Sequence, residues 1–238
     1  MAAMKFYSVP GTPNPDVVHM FAEEVGCTQL LDVVPLDLGK GTNRTPDFYK
    51  VNPLGEVPAL VLPSGKAISE SIAIARFLDE QIGGSSVVGK SPEERAETDM
   101  WIMRVSDKIL TPIATAFQNG PWLDFFKDKR PGYIHKELRD PMAAAGKAGC
   151  TWLNGELSDG RTFLCGDRFS LADVRFYCLY MFFTSNDKSQ APDPALTHLS
   201  AYIARIKAGR VLSPLSRSQT ASCEPREDSH SVLVVGYL

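Results

Sequence analysis

The sequence predicts a mixed α/β domain followed by an all-helical domain. Three observations lead there. Strand-like and helix-like patterns alternate up to Gly83, and the flexible break Gly83-Gly84-Ser85-Ser86 follows. Beyond it, two helix-start signals, Ser91-Pro92-Glu93-Glu94 and Ser170-Leu171-Ala172-Asp173, open long apolar segments. The predicted boundaries are residues 1–83 for the α/β domain, 84–90 for a linker, 91–210 for the helical domain and 211–238 for a tail. The tail carries Ser, Pro, Thr and mixed charge before a short apolar end, a composition that predicts loose order.

Lys5 to Ser8 reads as a first strand. A turn through Gly11-Thr12-Pro13 leads to Val17, Val18, Met20, Phe21 and Val25 at helical spacing, with Asn14-Pro15 as the expected cap and first turn and Gly26 as the stop. Leu31 to Leu36 is β-branched and apolar, so the opening is a βαβ unit whose strands should pair in parallel. A Gly-, Thr-, Asn- and Arg-rich loop spans Gly39 to Pro46. Ala59–Leu62 and Ala67-Ile68 then flank the hairpin turn Pro63-Ser64-Gly65-Lys66, and Ile72, Ile74, Phe77, Leu78 and Ile82 outline a closing helix.

In the helical part, the Ser91 capping box launches an amphipathic segment through Trp101, Val105 and Leu110, which Pro112 should bend or interrupt. Ser170 and Asp173 form a second box with Phe169 placed to staple it. The apolar run Val174 to Phe183 predicts a buried central helix, and Leu199 to Lys207 a last amphipathic one.

Composition narrows the function. The chain has 238 residues, 44% hydrophobic and 22% charged, with a net charge of −3, which offers no basic footprint for nucleic acid and no polybasic stretch for an acidic membrane surface. No window approaches the roughly 18 apolar residues of a spanning helix, and the N-terminus lacks a signal-peptide core, so a cytoplasmic protein is expected. The five cysteines are scattered, without a CxxC or a His pair at zinc spacing, which predicts free thiols and no metal.

Residues 51–74, VNPLGEVPALVLPSGKAISESIAI, carry the most functional information. Val57-Pro58 before an apolar strand can lay a bare backbone edge beside a peptide-like ligand. Glu70-Ser71 puts polar atoms at a helix start, where a carboxylate can dock. Together they predict a site for a small, charged peptide.

A thioredoxin-like βαβββα arrangement, Val-Pro before the third strand, Glu-Ser at the last helix of the first domain and SLAD opening a helix in the second resemble the cytosolic glutathione S-transferases, over about residues 4 to 209. The resemblance implies glutathione as co-substrate, a small hydrophobic electrophile as second substrate, no metal, a detoxification role and a homodimer, with Arg76 in an interface region. It places Val57 and Pro58 against the cysteinyl backbone of glutathione, Glu70 on its ammonium and Ser71 on its γ-glutamyl carboxylate. Asn43 and Arg44, at positions where phi-class members carry a His-Lys pair, would meet the glycyl carboxylate, and Glu56 stands where relatives often carry Gln.

For the sulfur contact the resemblance leaves three candidates. Thr12 occupies the place of the catalytic hydroxyl in serine-type members; Thr12-Pro13-Asn14 also resembles the nu-class and a fungal prion-related branch, in which the Thr or the Asn contacts sulfur. Tyr7 is the tyrosine-type candidate, with a core or pocket-wall role as its simpler reading. Trp101, Arg104 and Phe117 are candidate walls of the hydrophobic substrate site, although aromatics at helical spacing are more often core. Conjugation is the leading activity. Glutathione-dependent reduction of peroxides or disulfides, and a non-catalytic scaffold, are the alternatives. His19 and His135 read as surface or helix-face histidines.

Overall fold

Apolar residues at alternate positions make β1 (Met4–Ser8) a strand with one covered face: Met4, Phe6 and Ser8 are buried, and Lys5 is exposed. A computed structural model of the chain describes residues 3–130 and 134–211, so the expectation for the tail beyond 211 lies outside the described residues. The described residues divide into two compact units, one of those up to Gly84 together with those from Lys207 on, the other Ser85–Ile206.

In the first unit, α1 (Pro13–Glu24) starts two residues earlier than the Asn14-Pro15 expectation. Thr12, extended at φ −108° and ψ 141°, is the cap, and Pro13 takes the first helical position, where a missing amide hydrogen costs nothing. The helix buries Val17, Val18, Phe21 and Ala22, and Gly26 follows it at φ 69°. The chain continues through β2 (Leu31–Pro35) into α2 (Pro46–Val51), a short helix the loop-like sequence did not predict. Its start is set by Thr45, whose hydroxyl oxygen accepts the Phe48 amide at 3.2 Å.

β3 (Ala59–Val61), β4 (Ala67–Ser69) and α3 (Ser71–Gln81) complete the unit. The sheet runs β2-β1-β3-β4, with β1 and β2 parallel as the βαβ reading requires and the remaining pairs antiparallel. This is the expected mixed sheet of a thioredoxin-like domain.

The second unit is predominantly helical. Both halves of the Ser91 box form at α4 (Pro92–Val105): Ser91 Oγ accepts the Glu94 amide at 3.2 Å, and Glu94 accepts the Ser91 amide at 3.3 Å. The interruption expected at Pro112 comes earlier, as a wider π-type segment over Ser106–Leu110, before α5 (Thr111–Gln118). Then follow α6 (Leu123–Phe126), α7 (Arg139–Glu156), the buried α8 (Leu171–Asn186) and α9 (Thr197–Val211).

Asp173 is the hinge of this packing. Its Oδ2 accepts the Ser170 amide at 2.8 Å and the Ser170 hydroxyl at 2.6 Å, and its Oδ1 accepts the Leu164 amide at 2.9 Å and the Tyr202 hydroxyl at 2.7 Å. Burial raises the carboxyl above the usual carboxylate range against the pull of these donors.

No helix was predicted at α7, whose sequence carries Pro141, Gly146, Gly149 and Gly155. The glycines explain themselves in the fold. A Cβ at Gly149 would collide with the Lys108 carbonyl, and one at Gly146 would lie 2.5 Å from Ile113 Cγ2, whereas nothing lies within 4 Å at Gly155. Gly149→Ala is therefore expected to destabilise the protein by about 2 kcal/mol, overpacking outweighing improved helix propensity. Gly155→Ala should stabilise it by about 0.5 kcal/mol, and urea unfolding midpoints of the two variants test the opposite signs.

Candidate functional site

The strand register brings the sequence-predicted residues of the first unit to one end of the sheet. Tyr7 of β1 pairs with Ala59 of β3, and Ala59 pairs with Ser69 of β4. Since β3 runs against both neighbours, the chain leaving β1 toward Thr12, the chain entering β3 from Val57-Pro58 and the chain leaving β4 into Glu70-Ser71 share that end. The end of β2 joins them, because Ser8 pairs with Pro35.

At the β1–α1 turn, the Thr12 hydroxyl donates to the Val9 carbonyl at 2.5 Å, and the Thr12 amide donates to the same oxygen at 3.2 Å. Its proton is thus directed at the backbone. Asn14, in the first turn of α1, is exposed, and its side-chain amide has no hydrogen bond among the described residues. Tyr7 is half-buried, its ring edge-on to Phe48 at 5.5 Å.

His19 lies half-buried on a face of α1. Its ring stands edge-on to Phe6 at 5.1 Å, and its Nε2 is 3.0 Å from the hydroxyl of the fully buried Ser8. Burial lowers its pKa, so the ring is held neutral at pH 7. The sequence did carry a signal: His19 lies in helical phase with Pro15 and Ala22, both buried.

Asn43 and Arg44 brace the loop before Val57. Asn43 is buried, and its Nδ2 donates to the Gly55 carbonyl at 2.6 Å; Arg44 Nη1 donates to the Leu54 carbonyl at 3.1 Å. Asn52 adds a bond to the Glu56 carbonyl at 2.7 Å. Gly55 is required here, at φ 62° with Arg44 Nη1 and the Asn43 carbonyl 3.0 Å from where a Cβ would stand. The Val57-Pro58 peptide is cis.

Glu70 is the only non-glycine residue with positive φ among those described, at φ 71° and ψ 119°. An L-residue held there costs on the order of 1–3 kcal/mol, and such strain gathers at functional positions. The Glu70 side chain is exposed and makes no cap bond, while Ser71, the first residue of α3, is 3% exposed. The result is a carboxylate beside a helix N-terminus whose free amides favour an anion.

In the second unit, two of the three predicted wall residues are core. Trp101 is 2% exposed, stacked on Trp152 at 6.1 Å, with the Arg104 guanidinium 5.2 Å from its ring centre. Phe117 is also 2% exposed, packed on Trp122 and Phe183. Arg104 is exposed.

The thiols of the described residues are poor nucleophiles. Burial pushes Cys150 up to about 11, and burial with the nearby Asp79 charge does the same to Cys27. Cys165 and Cys178 are buried too. Among the described residues no helix is long and apolar enough to cross a membrane, and no cluster of His, Cys, Asp and Glu could hold a metal ion.

Comparison with known proteins matches residues 13–81 to the glutathione S-transferase N-terminal domain and residues 120–205 to the glutathione S-transferase C-terminal domain. The chain is 28% identical to glutathione S-transferase 2 of Saccharomyces cerevisiae over 178 residues, 72% of each protein. A crystal structure of a glutathione S-transferase domain-containing protein from Marinobacter aquaeolei superimposes with a TM-score of 0.75 at 31% identity, covering 86% of this chain and 98% of that one. Elongation factor 1-gamma 1 of Oryza sativa is 33% identical over 156 residues, 63% of this chain and 35% of that protein. The chain spans less than half the length of the elongation-factor relatives it matches.

Proposed function

Because the chain belongs to the glutathione S-transferase family, we propose that it binds glutathione at the converging end of the first unit's sheet and activates the thiol for attack on small hydrophobic electrophiles. The observation that carries this reading is the register: Tyr7 opposite Ala59 opposite Ser69 gathers the Thr12 turn, Val57-Pro58 and Glu70-Ser71. Val57 offers backbone to the cysteinyl residue like an added strand. Glu70 meets the ammonium, and the Ser71 hydroxyl with the first amides of α3 meets the γ-glutamyl carboxylate. The glycyl carboxylate falls to the 40–44 loop, where Lys40 is exposed, while Asn43 and Arg44 act mainly through the loop they brace. Glu56 supplies its carbonyl to that loop, and its side chain is not assigned a ligand contact.

Glutathione loses its thiol proton, and the sulfur forms a bond to the electrophilic carbon as the leaving group departs with its electron pair. A hydrogen-bond donor and the N-terminus of α1 favour thiolate over thiol. With the Thr12 proton directed at Val9, the Asn14 amide is the donor we assign to sulfur and Thr12 the residue that shapes the turn. Asn14→Ala is expected to lower kcat/KM for a model aryl halide about 100-fold, and Thr12→Val less than about tenfold. A larger loss in Thr12→Val than in Asn14→Ala would return the sulfur contact to Thr12.

The family reading further carries a cytoplasmic homodimer with a role in detoxification, the electrophile packing against apolar side chains and Arg104. A scaffold role is the second reading, favoured by the elongation-factor relatives. Retention on immobilised glutathione discriminates: an enzyme is retained and eluted by free glutathione, and a chain that flows through has lost the site.

A further inference from the structure

We propose that Ser8 and His19 are positioning residues for this chemistry: their part-buried hydrogen bond fixes the β1–α1 turn, and with it the place of Thr12 and Asn14 at the end of the sheet. The inference rests on the proposed function, but its geometry stands apart from it. Three rigid connections form a closed triangle. One is the short turn from Ser8 to Thr12, closed by both bonds from Thr12 to the Val9 carbonyl. The second is α1 itself, entered through the Asp16 amide's bond to the Thr12 carbonyl at 3.1 Å and rising about 10 Å over the seven residues to His19. The third is the Ser8–His19 contact at 3.0 Å, which ties the helix back to the strand.

Ser8 is anchored at its other end, its carbonyl accepting the Leu36 amide at 2.9 Å. The strand end therefore does not move, and displacement on losing the contact falls on α1 and its N-terminus. A hydroxyl with no solvent exposure also needs a partner, and the His19 nitrogen is the one it has. No residue of the pair lies on the exposed surface of the turn, so their effect on a bound thiol is through Thr12 and Asn14 alone.

The test compares His19→Leu, which removes the hydrogen bond, with His19→Gln, whose side-chain amide can remake it. With the aryl halide and saturating glutathione, His19→Leu is expected to lose about tenfold in kcat with the KM for glutathione within about twofold, and His19→Gln to return to within about threefold of wild type. Hydrogen exchange at the Thr12 amide should be at least about tenfold faster in His19→Leu and restored in His19→Gln. If His19→Leu does not fold, Ser8→Ala removes the same bond by deleting one oxygen and is read the same way. Wild-type kcat and wild-type Thr12 protection in the apolar variant overturn the proposal, as does a Gln variant no better than Leu. A wild-type protein that neither binds nor conjugates glutathione overturns the proposed function instead, and the exchange measurement still decides the positioning.

Discussion

Asp173→Ala is expected to destabilise the protein by about 4 kcal/mol, a large part of the roughly 5–15 kcal/mol available to a folded domain. The residue is not exposed at all, and both of its oxygens are doubly used. Alanine would strand two backbone amides, the Ser170 hydroxyl and the Tyr202 hydroxyl in a buried place, and each unsatisfied donor costs about 1–3 kcal/mol, less whatever water or relaxation recovers. Asp173→Asn keeps one acceptor but turns an NH2 toward groups that are themselves donors, so its loss should fall between wild type and Ala. Tyr202→Phe deletes one of the four bonds without stranding another and should cost about 1 kcal/mol. Urea unfolding monitored at equilibrium gives the order; an Asn variant as stable as wild type would mean that accepting four bonds is not what the carboxylate contributes.

Glutathione affinity is expected to fall about 10- to 100-fold in Glu70→Gln and in Ser71→Ala, the loss of one charge-assisted hydrogen bond in each case. Glu70 allows a sharper version of the test. Its backbone is held at φ 71°, a conformation that glycine adopts freely. Glu70→Gly should therefore lose the same affinity while leaving the unfolding free energy unchanged or raised, by up to about 1 kcal/mol of relieved strain. Affinity and stability moving in opposite directions would identify Glu70 as a residue held under strain for its ligand. A Gly variant that loses stability along with affinity would assign the carboxylate to the fold.

What could be read without coordinates was whatever rests on neighbours in sequence. Thr45, Ser91 and Ser170 cap helices through groups three residues away, and the capping boxes at Ser91 and Ser170 were legible for that reason. So was the hairpin around Gly65. The start of α1 was misplaced because two prolines stand close together, Pro13 and Pro15, and either suits a first turn.

What sequence spacing did not carry is each side chain's partner in space. Asn43 and Arg44 carry the right groups for a carboxylate, and Asn43 Nδ2 and Arg44 Nη1 also reach the carbonyls of Gly55 and Leu54. Trp101 and Phe117 have the spacing of wall residues, yet both are packed on other aromatic rings of the second unit. His19, read as a surface or helix-face residue, is half-buried and reaches the hydroxyl of the buried Ser8.

The sequence by itself determined the order of the four strands with α1 and α3, the helix starts at Ser91 and Ser170, and the residue types at Val57-Pro58 and Glu70-Ser71 that the proposed γ-glutamyl site uses. Only the tertiary structure decided which donors remain open to a ligand and which glycines a helix needs. A side chain's partner depends on what the fold brings within about 3 Å, and sequence spacing encodes that only along one element. The antiparallel register of β1, β3 and β4 did what no motif could: it placed three separate segments at one end of one sheet.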